Sequence, residues 1–200
     1  PSGVVIQVTE KAIHLGRPDT PHSTARLDYN SDQTIVVAAV SGPDSLLIIA
    51  VRSQDGINLH LMRVVSSDED HQLQVRDTGY TVKIDEEPVC ALVESFESAC
   101  FIFVGTGDGN ILTYRIDNET LFFQSSTSVA VEKGDDISKA IESLATARTS
   151  AKGFLTKSTL LCGLRSGFLV PFEIAVDDDN DFTIGKAGSF QHPTLSRLPL

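Results

Sequence analysis

Tryptophan is absent from this chain and basic side chains are scarce. Against 27 Asp and Glu stand only 16 Lys and Arg, a formal charge of −11. That field repels phosphate backbones, which excludes a broad basic face for nucleic acid; an acidic surface also serves simply to keep a protein dispersed. Long apolar runs are missing as well. None approaches the ~20 residues that span a bilayer, and no secretory leader is visible, so no membrane association is expected. Cysteine is sparse and odd in number: Cys90, Cys100 and Cys162 each sit inside an apolar, strand-like run. Buried reduced thiols are expected there, as in nuclear or cytosolic proteins. The Asn118-Glu119-Thr120 sequon carries nothing without a secretory route. The sequence opens on Pro1 and is strand-like by Val4, and we expect a segment of something longer.

What is present is a globular composition, 41% apolar and 22% charged, in a chain long enough to bury a core. Its organising stretch is residues 160–174, LLCGLRSGFLVPFEI, in which an apolar run meets Arg165-Ser166-Gly167 and a second apolar run leaves it. Two strand-forming runs joined by a short segment ending in Gly describe a β-hairpin. The design recurs over residues 101–116, FIFVGTGDGNILTYRI, with Gly105 and Gly109 each 58 residues before Gly163 and Gly167. A looser copy occupies residues 46–64, where Gly56 precedes Gly109 by 53. Repetition at this spacing predicts stacked β units.

Around the hairpins, Val4 to Thr9 and the return over residues 11–15 form an opening strand pair. Arg17 to His22, with Pro18 and Pro21, reads as a loop. Ala25, Leu27 and Tyr29 alternate on one face of a strand. The continuously apolar runs TIVVAAV (residues 34–40) and VCALV (residues 89–93) are expected to be strands buried on both faces. Residues 73–84, 120–131 and 182–187 read as outer, more polar strands, and residues 66–70, 85–88 and 177–181 as connectors. Each unit is then a buried strand, a hairpin and an outer strand. In residues 135–148, DDISKAIESLATAR, helix and strand readings conflict. The spacing of Ile137, Ile141, Leu144 and Ala145 is helical, yet the repeat places a strand over about residues 139–147. We take the strand, followed by a flexible insertion over residues 149–157. Residues 193–198 look like the start of a further buried strand.

Four-stranded units repeated radially are propeller blades. The fold class expected is all-β, about three four-stranded antiparallel β-propeller blades, with residues 1–200 a partial propeller within a larger protein. Three blades do not close a ring, since propellers use four to eight, so self-association of the isolated segment is expected.

No motif argues for catalysis, cofactor or metal. Residues 105–109, GTGDG, lack the Lys-Ser/Thr of a phosphate loop and are followed by a strand, so Asp108-Gly109 is a hairpin corner. Asp177, Asp179 and Asp181 imitate the first ligands of a calcium loop, but Phe182 and Gly188 stand where Gly and Glu are needed. His14, His22, His60, His71 and His192 have no metal-ligand spacing, and His60 reads as facing the polar side of its strand. Glu86-Glu87 and Asp135-Asp136 read as solvated loop charges. Partner-binding residues are not legible.

Two kinds of stretch carry a family resemblance. Residues 5–15, VIQVTEKAIHL, look like the opening strand pair of the large multi-propeller scaffolds. These include the large subunit of the damaged-DNA-binding complex, the largest subunit of the cleavage and polyadenylation specificity factor, and a propeller subunit of a splicing complex. Residues 160–170 and 103–112 resemble that family's recurrent hairpins, and residues 188–195, GSFQHPTL, resemble the step into its next inner strand. The order matches the region where the family's second propeller hands over to its third. His14, where Arg is usual, and the insertion over residues 149–157 depart from it and leave the branch open. The resemblance implies a nuclear scaffold, with the cytoplasm as a second location, that has no enzymatic activity. Its partners would be other proteins of a multisubunit complex, in ubiquitin-ligase assembly for DNA repair, in mRNA 3′-end processing or in splicing. The alternative is an unrelated WD-like propeller module, against which the missing Trp-Asp blade ending counts; a propeller enzyme is the more distant one.

Overall fold

A computed structural model describes residues 3–41, 45–66, 72–95, 99–117, 123–131, 139–152, 155–176, 182–187 and 190–191. Sixteen strands and no α-helix occur among these residues. They divide into two compact units, Pro1–Asp85 and Glu86–Leu200.

The first unit holds two sheets. One is β1 (Val5–Val8), β2 (Ala12–Arg17) and β3 (Thr20–Asp28); the other is β4 (Thr34–Ser41), β5 (Leu46–Ser53), β6 (Gly56–Ser66) and β7 (Leu73–Ile84). The second unit repeats the four-stranded pattern twice. Its sheets are β8 (Pro88–Ser95), β9 (Ala99–Thr106), β10 (Asn110–Asp117) and β11 (Phe123–Ala130), then β12 (Ile141–Lys152), β13 (Leu155–Leu164), β14 (Phe168–Val176) and β15 (Phe182–Lys186). A short β16 (Phe190–Gln191) adds to β14. All pairings are antiparallel between sequence neighbours apart from that addition, as hairpin connections require. The three four-stranded sheets are therefore the expected units, and the opening strand pair grows by β3 into a sheet of its own.

Each unit buries an apolar face of one sheet against the other. In the first, Ile13 and Leu15 of β2 meet Leu47, Ile49 and Val51 of β5 and Met62 and Val64 of β6. In the second, Phe101, Phe103 and Ile111 meet Ile141, Leu160, Cys162, Val170 and Phe172. Burial of such side chains stabilises by about 1.5–3 kcal/mol each relative to exposure.

The first strand of every four-stranded sheet carries a one-residue bulge. Pairing skips Val36 between Ile35 and Val37, Val89 between Pro88 and Cys90, and Glu142 between Ile141 and Ser143. These positions recur every 53 residues. The bulge resolves the conflict over residues 135–148, of which 135–138 lie outside the described residues. Ile141 pairs with Leu164 and Leu144 with Cys162, so both share one face although three residues apart. A helical spacing thereby fits a strand.

Three expectations are corrected. The segments at residues 34–40 and 89–93 are buried on one face only: Ile35 and Val37 are covered whereas Val40 is 49% exposed, and β8 is mostly half-buried. They are edge strands of their sheets. The strands covered on both faces are the second ones, β5 and β9, which pair on both sides and supply Leu46 to Val51 and Phe101 to Thr106. Residues 149–152 and 155–157 are strand rather than a flexible insertion, with 153–154 outside the described residues. β12 and β13 extend as a ladder to Lys152↔Leu155, which accounts for the glycine spacing of 58 in place of 53. Residues 17–22 are likewise not a free loop. β2 runs to Arg17 and β3 starts at Thr20, with a register shift that accommodates Pro21 on an edge strand. The connectors and strand expected at residues 67–70, 177–181 and 193–198 lie outside the described residues.

The hairpin corners take the predicted geometry: Gly56, Gly109 and Gly167 have φ of 118°, 80° and 82°. That region penalises any side chain and a β-branched one most. Gly167→Val is expected to lower stability by ~1–3 kcal/mol in urea unfolding, with the β content of the folded state retained. An unchanged midpoint would show that this corner does not constrain the hairpin.

Candidate functional site

One end of the second unit gathers both of its hairpin corners and the starts of β8 and β12. At the β9–β10 corner, Gly109 N–H donates to the Thr106 carbonyl at 3.2 Å and Gly107 N–H to the Glu87 carbonyl at 2.9 Å. Thr106, fully buried, donates its hydroxyl to Glu86 Oε2 at 2.7 Å and accepts from Asn110 N–H at 3.0 Å. Asn110 Nδ2 donates to the same Glu86 oxygen at 2.8 Å. Glu86 therefore ties the entry of β8 to the corner by charge-assisted bonds, and the sequence reading of it as a solvated charge is corrected.

The β13–β14 corner is held in the same manner. Arg165 N–H donates to the Ala140 carbonyl and Gly167 N–H to that of Leu164, both at 2.9 Å. The Arg165 guanidinium pairs with Glu142, the bulge residue of β12, at 2.5 Å. Both side chains are about half exposed, so this pair orients more than it stabilises. A Cβ on Gly109 would lie 2.9 Å from the Lys139 carbonyl, so the corner and the start of β12 approach as only glycine permits. The outcome is a rim with fixed backbone and outward charges at Glu87, Asp108, Glu142 and Arg165. Chemically it offers complementary charge and hydrogen bonds on a rigid frame.

The structure does not bring the other candidates of the sequence together. Among the described residues no group of three or more His, Cys, Asp or Glu could hold a metal. His14 lies half-buried in β2, while His71, His192, Asp177, Asp179, Asp181 and the Asp135-Asp136 pair lie outside what is described. The side chain of His22 does too. His60 is not on an open polar face. It is half-buried, its Nδ1 is covered without a hydrogen-bond partner, and burial lowers its pKa against the opposing pull of Asp77.

Cys90, Cys100 and Cys162 are in no disulfide, with Cys100 and Cys162 buried and Cys90 partly so. Cys90 bonds the Ile141 carbonyl at 3.4 Å. Burial pushes Cys90 up to about 11 and Cys162 up to about 12. The consequence has a definite sign. Between the unfolded-chain value of about 8.5 and these folded values, the unfolded state binds fewer protons, so stability falls as pH rises. Urea midpoints are expected to hold from pH 7 to 8 and to decline from about pH 9 upward, and a disulfide-exchange reagent at pH 8 should modify Cys90 and Cys162 only on unfolding. Rapid labelling of either in the native protein would contradict the buried placement.

No family model matches the chain, and no curated protein matches it. Solved structures do. Hsv2 of Kluyveromyces lactis matches with a TM-score of 0.55 at 11% identity, over 96% of this chain and 60% of that one. The K. lactis protein with complete loop 6CD gives 0.54 at 11%, over 96% and 61%. Hsv2 of Kluyveromyces marxianus gives 0.51 at 13%, over 95% and 56%. The chain thus spans less than two thirds of the structures it resembles. At such identities the likeness speaks for architecture alone, and with the repeated four-stranded antiparallel sheets it gives the fold: an all-β chain of β-propeller blades.

Proposed function

We propose that the chain is part of a non-enzymatic multi-propeller scaffold in a nuclear protein complex, of the family that includes the damaged-DNA-binding and polyadenylation-factor large subunits. The observation that carries this reading is the repeated blade with its fixed corner. The family-like stretches over residues 103–112 and 160–170 both take the form strand, glycine corner, strand, and residues 5–15 pair as the hairpin β1–β2. Such corners hold outward side chains on rigid backbone, the usual foundation of a docking surface. In this reading residues 1–200 are a portion of a larger propeller array, and the recognised partners are proteins. With a net charge of −11, any part in repair or RNA processing runs through those proteins rather than through contact with nucleic acid.

Affinity capture from nuclear extract with the full-length protein tests this. Cullin and repair factors, cleavage factors or splicing factors in the eluate would support the scaffold reading and select the branch. An eluate without any of these complexes would overturn the family assignment. In parallel, a gel shift at ~0.15 M salt is expected to show no retention of duplex DNA or RNA by the chain; micromolar binding with a steep salt dependence would overturn the indirect role.

A further inference from the structure

In the first unit, the end of β3 and the turn after it face β6 and β7 across a cleft of about 250 Å³. Its apolar lining comes from Leu27, Val75 and Met62, the chain's single methionine, which is 2% exposed. Tyr29 forms a wall, with its hydroxyl 3.8 Å from the Met62 sulfur and its N–H bonded to the Lys11 carbonyl at 2.8 Å. At the mouth stands Asp77, directly opposite Met62 in the β6–β7 ladder.

Asp77 is placed by a special piece of backbone. Pairing jumps from His60↔Thr81 to Met62↔Asp77, so Thr78, Gly79 and Tyr80 all bulge opposite Leu61. Gly79 takes a φ of 78° and donates its N–H to Asp77 Oδ1 at 2.8 Å, while the Thr78 hydroxyl donates to the Leu61 carbonyl at 2.6 Å. Bulges of this kind re-aim side chains and commonly lie beside binding sites. The carboxylate acts on two neighbours of the cleft, Tyr29 and the half-buried His60. Asp28, also at the cleft, is engaged by Arg26 at 2.7 Å. No Lys or Arg pairs with Asp77 among the described residues.

We propose that this cleft receives one basic side chain, lysine or arginine, of a protein partner. The cation meets Asp77 beside the Tyr29 ring, and the methylenes lie against Leu27, Val75 and Met62. A carboxylate held without its own cation, next to an aromatic ring and above an apolar floor, matches a cation on an apolar stem and matches neither an anion nor a purely apolar group. The inference refines the scaffold reading, which supplies the protein partner, but it rests on the residues of the cleft.

The methyl group of Met62 reports on the cleft directly. With the chain labelled at the methionine methyl, titration with Nα-acetyl-lysine methylamide is expected to move the Met62 resonance saturably. The norleucine analogue, of similar shape and uncharged, should not move it. Asp77→Asn keeps an oxygen for the Gly79 N–H and should weaken binding at least ~fivefold, and in the unsubstituted protein a rise from ~50 to ~500 mM salt should weaken it too. The salt series serves if the variant fails to fold. Absence of a saturable shift, an equal response to norleucine, or indifference to both salt and Asp77→Asn would overturn the proposal. Capture of the same nuclear complex by Asp77→Asn and unsubstituted protein would overturn a role for the cleft in that complex while leaving the scaffold reading in place.

Discussion

A single extra residue near the start of each four-stranded sheet, set against a small residue on the next strand, is the constraint on which the rest depends. After the bulges at Val36, Val89 and Glu142, the following residues Val37, Cys90 and Ser143 pair with Ala50, Gly105 and Gly163. A Cβ at Gly105 would come within 2.7 Å of both the Cys90 sulfur and the Ile141 side chain, and one at Gly163 within 2.5 Å of the Ser143 hydroxyl. The Ser143 hydroxyl can rotate aside, but the Cβ and Cγ2 of the fully buried Ile141 cannot readily yield, so the second strand must be small at Gly105. Its smallness lets the start of β12 approach β9, where Cys90 bonds the Ile141 carbonyl and Ile141 is fully buried. Blade stacking within the second unit thus begins at that glycine.

This explains which parts of the fold were legible. Corner glycines are readable because positive φ leaves few alternatives, and their spacing exposed the repeat before any strand was placed. Gly105 and Gly163 were visible as a matched pair, although their reason is close approach across a bulge and has nothing to do with turn chemistry. The bulge itself leaves a misleading trace. Ile141 and Leu144 fall on one face at an interval that belongs to helices, so local periodicity pointed the wrong way and only the repeat pointed the right one. The apolar runs TIVVAAV and VCALV failed differently. Hydrophobicity along a strand does not say whether that strand is central or an edge, and pairing order decides burial.

The site was less legible than the fold, for a physical reason. Glu86 reaches Thr106 and Asn110 across 20 and 24 residues, and Tyr29 reaches Met62 across 33. Contacts at that range follow from sheet register, which a single sequence does not print. The bulge at Gly79 could have been suspected from a glycine inside a strand, the ordinary sign of a bulge. What it aims, the Asp77 carboxylate, appears only once β6 and β7 are paired.

Corner and opposite end of each blade are free to vary in different ways. The corner end is pinned by glycine conformation, by backbone bonds such as Arg165 to Ala140, and by the Glu86 bridge, so chain length there is fixed. Asp108 and Arg165 can change identity while these backbone pins remain, because their side chains point outward from a backbone held by other groups. The opposite end differs in strand length from blade to blade. There β4 and β5 have eight residues each, as do β8 and β9, whereas β12 and β13 have 12 and 10. A propeller built this way can vary its corner end by substitution and its far end by insertion. The lengthened β12–β13 hairpin is such an insertion, added as paired strand so that its backbone groups are satisfied within the ladder.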